Sequence, residues 1–144
     1  MLDLSFRLLN EHARLPESQN SSAGLDIRTI YHVTLPPGQT KVISTGVALA
    51  KYPNPRGHFL KVEGRSSLAA RGIAPLGGVI DPDYRGEIKI ILTNHSDTQV
   101  TLDAGNRIAQ LVPYQIPTST NVIEVNVSDS TQRGEGGFGS TGER

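Results

Sequence analysis

Cysteine and tryptophan are absent from this 144-residue chain, and methionine occurs once. Without cysteine there is neither a disulfide framework nor a thiolate metal site. An excess of charge of either sign is also missing, since fourteen Lys and Arg balance fourteen Asp and Glu. That argues against a general DNA- or RNA-coating surface. No apolar run approaches the roughly 20 residues of a membrane span. Asp3 and Arg7 interrupt the apolar N-terminus, so it does not read as a signal peptide, and the cytoplasm or nucleus is the expected compartment. Aromatics are few, three Phe and four Tyr. A modest core that leaves apolar surface over favours an oligomer.

What remains reads as β structure in one domain. Leu2, Leu4, Phe6 and Leu8 alternate with polar neighbours, the period of a half-buried strand. Further strands are expected at Leu25–Ile27, Val33–Leu35, Val42–Leu49, His58–Glu63, Glu87–Asn94, Val100–Leu102, Arg107–Ile116 and Val122–Val127. Turn chemistry separates them at Pro36-Pro37-Gly38, Pro53-Asn54-Pro55, Asn94-His95-Ser96 and Asp103 to Asn106. Many short strands with Gly and Pro punctuation suggest a sandwich, barrel or jelly roll. Ser66–Arg71 is the one helix expected.

Three segments carry most of the chemistry. Residues 77–88, G-G-V-I-D-P-D-Y-R-G-E-I, read as a β-hairpin with a wide tip, in which Asp81 and Asp83 can chelate a metal, activate a water or simply initiate a turn. In Gly64-Arg65-Ser66-Ser67-Leu68-Ala69, Ser66 or Ser67 can cap the helix while Arg65 and the first N–H groups address an anion. The tail Arg133–Arg144 holds five glycines and one large apolar side chain, Phe138. Such a run stays mobile unless a ligand orders it. Once held, it offers N–H groups and Arg133 to phosphates, hydroxyls at Ser140 and Thr141, and a flat ring to a base. Ala23-Gly24-Leu25-Asp26-Ile27 and Gly105 to Leu111 are weaker signals, each a turn running into a strand. The four histidines have no metal-ligand spacing.

Taken in order, these five segments resemble the five motifs of the trimeric dUTPases, from about Ala23 to Gly142. The match is nearly letter for letter in G-V-I-D-P-D-Y-R-G and in R-G-E-G-G-F-G-S-T-G. The resemblance implies an all-β, jelly-roll-like barrel or sandwich subunit with one short helix, assembled as a homotrimer with active sites shared between subunits. Residues 1–130 would form the β domain, and 131–144 an arm closing over a neighbour's site. Asp81 would be the catalytic carboxylate, orienting the water that attacks the α-phosphorus. Tyr84 would pack beneath the deoxyribose. Gly78, Val79 and Ile80 would read uracil through their backbone, with Lys89 on the returning strand. Arg65, Ser66, Ser67 and Gln110 would hold the α- and β-phosphates, and Arg133, Gly139, Ser140 and Thr141 the far end, while Phe138 stacks on the base. The implied cofactor is Mg²⁺, held by the triphosphate and water without direct protein ligands and with Asp26 in its outer shell. Gly64 and Ser67 depart from the family's usual Pro and Gly, and Pro75 stands where some members carry a polar residue.

Two alternatives bear on the same residues. The dCTP deaminases resemble this fold and share G-R-S-S-L-A, but they need a Glu where alignment places Ile91, and isoleucine transfers no proton. A non-catalytic nucleotide- or partner-binding module would keep the fold, yet here every catalytic-type side chain is retained.

Overall fold

The computed structural model describes residues 1–139. Ten strands and one short helix follow in the order β1 (Phe6–Leu8), β2 (Leu25–Arg28), β3 (Val33–Leu35), β4 (Thr40–Leu49), β5 (His58–Glu63), α1 (Ser66–Ala69), β6 (Ile73–Leu76), β7 (Val79–Ile80), β8 (Glu87–Asn94), β9 (Val100–Leu102) and β10 (Arg107–Gln115). They form two four-stranded sheets, β1-β4-β8-β6 and β2-β10-β5-β7, with β3 and β9 as a separate pair. Every pairing is antiparallel. Alternation drives the layering. Ile88, Ile90 and Leu92 of β8 and Leu60 and Val62 of β5 turn inward into one core with Ile27, Leu35, Leu49, Ile73, Ile108 and Leu111. Burying each such side chain contributes about 1.5–3 kcal/mol. The jelly-roll-like, nearly all-β expectation holds.

Turn chemistry fixes the register at the ends. Asn94 is fully buried and fully used: its Nδ2 donates to Leu35 O and Thr98 O at 2.9 and 2.8 Å, and its Oδ1 accepts from Ser96 N and Oγ. A buried amide satisfied on both sides locks the turn between β8 and β9. In β4 the pairing to β8 is irregular between Ser44 and Ala48. There Gly46, at φ +70°, donates its N–H to Glu87 Oε2 at 2.8 Å.

Several expectations are corrected. Only Phe6–Leu8 of the first alternating segment forms a strand. The helix is shorter than expected, and its capping residue is Arg65, with no side-chain cap from either serine. Ile73–Leu76, unrecognised because Pro75 interrupts it, is an edge strand, where proline is tolerated. Val122–Val127 forms no strand, and Val122, Ile123, Val125 and Val127 are exposed. Finally, residues 77–88 are not a hairpin. β7 pairs with β5 and β8 with β4 and β6, so the loop between them is an arch joining the two sheets.

Candidate active site

The arch builds the first half of the site. β7 is the edge of its sheet, so its backbone groups not bonded to β5 remain open to a ligand. Gly78, at φ +99°, makes this approach possible. Its carbonyl accepts from Val62 N at 2.8 Å, and an added Cβ would stand 2.9 Å from Val62 Cβ. Beyond Ile80 the chain turns at Asp81–Tyr84, closed by Tyr84 N donating to Asp81 O at 3.1 Å. Pro82 supplies the fixed φ this turn wants at its second position. Tyr84 folds back over Gly86, where any Cβ would collide with the ring, and its hydroxyl donates to Glu87 O at 2.9 Å.

The result is a cleft of about 240 Å³ lined by Val62, Gly78, Val79, Ile80, Asp81, Tyr84, Glu87, Ile88 and Lys89. All six arch and β8 residues expected to bind or act, Gly78 to Asp81, Tyr84 and Lys89, meet here. The Asp81 side chain is exposed and makes no hydrogen bond or ion pair among the described residues, so its oxygens face solvent. The other carboxylate of the cleft, Glu87, is tied to Gly46 N. Ile91 lies two positions beyond Lys89 on the same face of β8, and no carboxylate stands there.

A second, strongly basic cleft of about 450 Å³ lies beside α1. It contains Arg65 and Ser67 together with Arg28, Arg71, Asn106 and Arg107. The sequence reading had missed Arg28, Arg71 and Arg107; the excess of Arg over Lys, ten to four, was the available signal. Asp26 organises this surface. Its Oδ1 lies 3.6 Å from Arg65 Nε and its Oδ2 3.6 Å from Arg107 Nη1. Both are ion pairs longer than hydrogen bonds, which leaves carboxylate lone pairs for a water. Register places Asp26, Gln110 and Glu63 in one row across three strands. Gln110 Nε2 donates to Gly64 O at 2.9 Å, which fixes the amide. Next along β5, Lys61 Nζ bonds Glu63 Oε1 at 2.8 Å, and that bond holds Glu63 below the usual carboxylate range and Lys61 above the usual lysine range. Ser66 is exposed at the start of α1.

The two clefts share no lining residue. Arg133 Nε donates within the tail, to Gly136 O at 2.7 Å, and Phe138 is fully exposed at φ +49°. Gly139 is also exposed, and Ser140 and Thr141 lie outside the described residues. Among the described residues no three His, Asp or Glu side chains group to hold a metal, and no helix is long and apolar enough to cross a membrane.

A family model described as dUTPase matches residues 10–142. The deoxyuridine 5'-triphosphate nucleotidohydrolase of Nautilia profundicola is 40% identical over 146 residues, covering 99% of this chain and 100% of that protein. A mutant dUTPase of Staphylococcus bacteriophage 80alpha, solved with dUpNHpp, superimposes with a TM-score of 0.83 at 27% identity and covers 99% of both chains. A mutant dUTPase from phage phi11 of S. aureus, solved to describe coordination of a structural Mg(II) ion, gives 0.74 at 26% identity, covering 88% of this chain and 97% of that one.

Proposed function

This chain belongs to the dUTPase family, and from that membership we infer that it is a dUTP diphosphatase, cleaving dUTP to dUMP and pyrophosphate by attack of water on the α-phosphorus. Such an activity limits uracil incorporation into DNA and supplies dUMP for dTMP synthesis. The observation that carries the reading is the arch cleft, where an open strand edge at Gly78–Ile80, the free carboxylate of Asp81 and the ring of Tyr84 border one space of about 240 Å³.

Each group has a task its chemistry suits. Uracil presents acceptor, donor and acceptor along its pairing edge, and the fixed N–H and C=O groups of β7 supply the complement. Cytosine reverses part of that pattern and leaves buried polar groups unpaired, a strong discriminator. Tyr84, pinned over Gly86 by its bond to Glu87 O, forms a wall under the sugar that leaves no room for a ribose 2′-hydroxyl. Asp81 accepts a hydrogen bond from the attacking water and aims it at phosphorus, and it also holds the sugar 3′-hydroxyl. Arg65, Ser66, Ser67 and Gln110 bind the α- and β-phosphates, with Arg107 beside them. Guanidinium groups match phosphate oxygens in pairs, and here they neutralise charge developing on the leaving pyrophosphate.

The donor set fits a magnesium ion carried on the triphosphate. Mg²⁺ keeps several waters, and Asp26 retains lone pairs to accept from one of them. When bound, the ion withdraws charge from the phosphate oxygens.

That the two clefts share no lining residue within one chain supports a site completed by more than one subunit. Two features favour the homotrimer. Val42, Ile91 and Leu76 form an apolar row in register across β4, β8 and β6 on the face away from the core, with Val42 63% exposed. The exposed Val122–Val127 segment then leads into residues 131–144, which act as an arm closing on a neighbour, Phe138 over the base and Arg133, Gly139, Ser140 and Thr141 at the phosphates. The deaminase alternative lacks its acid, since Ile91 carries no proton and Glu87 is occupied.

Single-turnover hydrolysis in ¹⁸O-labelled water tests the reaction. Label is expected in dUMP; label found in pyrophosphate, or no dUMP at all, refutes attack at the α-phosphorus.

A further inference from the structure

Among the described residues the Asp81 carboxylate makes no hydrogen bond or ion pair, so its placement depends on the backbone of the arch. Within the arch, the Arg85 side chain ties that backbone together just after Asp81. Arg85 Nη1 donates to Pro82 O at 2.7 Å and to Tyr84 O at 3.1 Å, which bridges the residues that follow Asp81. The guanidinium is in turn held by a residue from the β4–β5 connection, thirty-three positions earlier in the chain: Arg85 Cζ lies 4.9 Å from the centre of the Tyr52 ring, and Arg56 Cζ lies 4.0 Å from the same centre. Arg85 is half-buried and lines neither cleft.

We propose that Arg85, held over the Tyr52 ring, is a positioning residue for catalysis: it fixes the arch so that Asp81 points at the attacking water. The proposal rests on Asp81 being the catalytic carboxylate. Arginine suits the position because Nη1 alone carries two N–H donors for the two carbonyls while the rest of the delocalised guanidinium sits over an aromatic ring. A lysine ammonium is a point charge that does not reproduce this. Base binding is anchored separately. Gly78, Val79 and Ile80 are held by β5, through Val62 N to Gly78 O and the pairings Leu60 to Ile80 and Lys61 to Val79. Loss of Arg85 therefore lowers turnover far more than nucleotide affinity, to which the moved arch contributes only its contacts with the sugar.

The test compares Arg85→Gln, Arg85→Lys, Tyr52→Leu and Tyr52→Phe, with kcat measured on dUTP and the Kd of dUpNHpp measured by calorimetry, both with Mg²⁺. A misplacement of about 1 Å can cost about 100-fold in rate, so Arg85→Gln is expected to lose roughly 10- to 100-fold in kcat while Kd stays within about threefold. Arg85→Lys recovers little of this. Tyr52→Leu gives a smaller loss of the same kind, and Tyr52→Phe restores it because the ring is kept. In the Asp81→Asn background, Arg85→Gln adds no further loss, since groups that act through one another are not additive. Wild-type kcat in Arg85→Gln, a Kd that weakens in step with kcat, or a full multiplicative loss on top of Asp81→Asn each overturns the proposal. Should Arg85→Gln not fold, the Tyr52 pair decides on the same readouts. If Asp81→Asn alone keeps wild-type kcat, the active-site reading itself has failed, and Arg85 has nothing to position.

Discussion

Replacing Gly78 by alanine probes the packing that opens the strand edge to a base. At φ +99° a side chain is strained, at about 1–3 kcal/mol. The new Cβ would stand 2.9 Å from Val62 Cβ and 3.2 Å from Val62 O, so β7 must move off β5. Overpacking of this kind adds about 1–3 kcal/mol. Gly77 provides the control. It also has positive φ, +64°, but its Cβ would meet nothing within 4 Å, so Gly77→Ala carries the backbone cost alone. Taking about 3 kcal/mol for Gly78→Ala, and about 2–4 °C per kcal/mol for a chain near this size, the melting temperature should fall by about 6–12 °C. Gly77→Ala should lose about a third to a half as much. Scanning calorimetry at equal subunit concentration measures both, as assembly makes melting concentration-dependent. The Gly78 variant should also bind dUpNHpp more weakly. Equal destabilisation of the two variants would refute the claim that Gly78 is required for the close approach to Val62.

Other outcomes follow from the same geometry. Asp81→Asn should lower kcat by about 10²–10⁴-fold, the range for a positioned acid–base group, with dUpNHpp affinity nearly retained; comparable kcat would show that the carboxylate is not the water-orienting group. A Cβ at Gly24 would collide with the Gln110 side-chain oxygen. Gly24→Ala should therefore turn the amide away and raise KM for dUTP more than for dUMP binding, measurable by steady-state kinetics and titration. Glu63 is held below its unfolded value by Lys61, so its contribution to stability is present above about pH 4.3 and is lost as pH falls through the lower folded value. Urea midpoints of wild type and Glu63→Gln should then differ at pH 7 and converge toward pH 3; an unchanging gap would contradict the pairing. Removing residues 131–144 should abolish turnover and leave the melting of the β domain largely intact, by calorimetry.

Much of the fold was legible because strand alternation is a local property. β5, β8 and β9 were expected with the bounds they have, since Leu60 and Val62, Ile88 and Ile90, and Val100 and Leu102 each mark an inward face. What failed needed knowledge of partners. The run at 77–88 looks like two strands and a turn, yet its strands belong to different sheets, and nothing local distinguishes an arch from a hairpin. Pro75 hid β6, which survives because it lies at a sheet edge. Val122–Val127 alternates like a strand but pairs with no strand among the described residues. The site shows the same division. Asp81, Tyr84 and Gly78–Ile80 are contiguous and were found together, and the cleft joins them with Lys89. Arg85 with Tyr52, and Arg107 with Asp26, are made by contacts across the chain, and single residues gave no sign of them.

The most direct measurement is a product analysis of the purified protein with Mg²⁺ and, separately, dUTP, dCTP, dTTP and UTP. We predict dUMP and pyrophosphate from dUTP alone. Ammonia from dCTP, or no turnover of any of the four by folded protein that binds dUpNHpp, would contradict a dUTP diphosphatase built on Asp81.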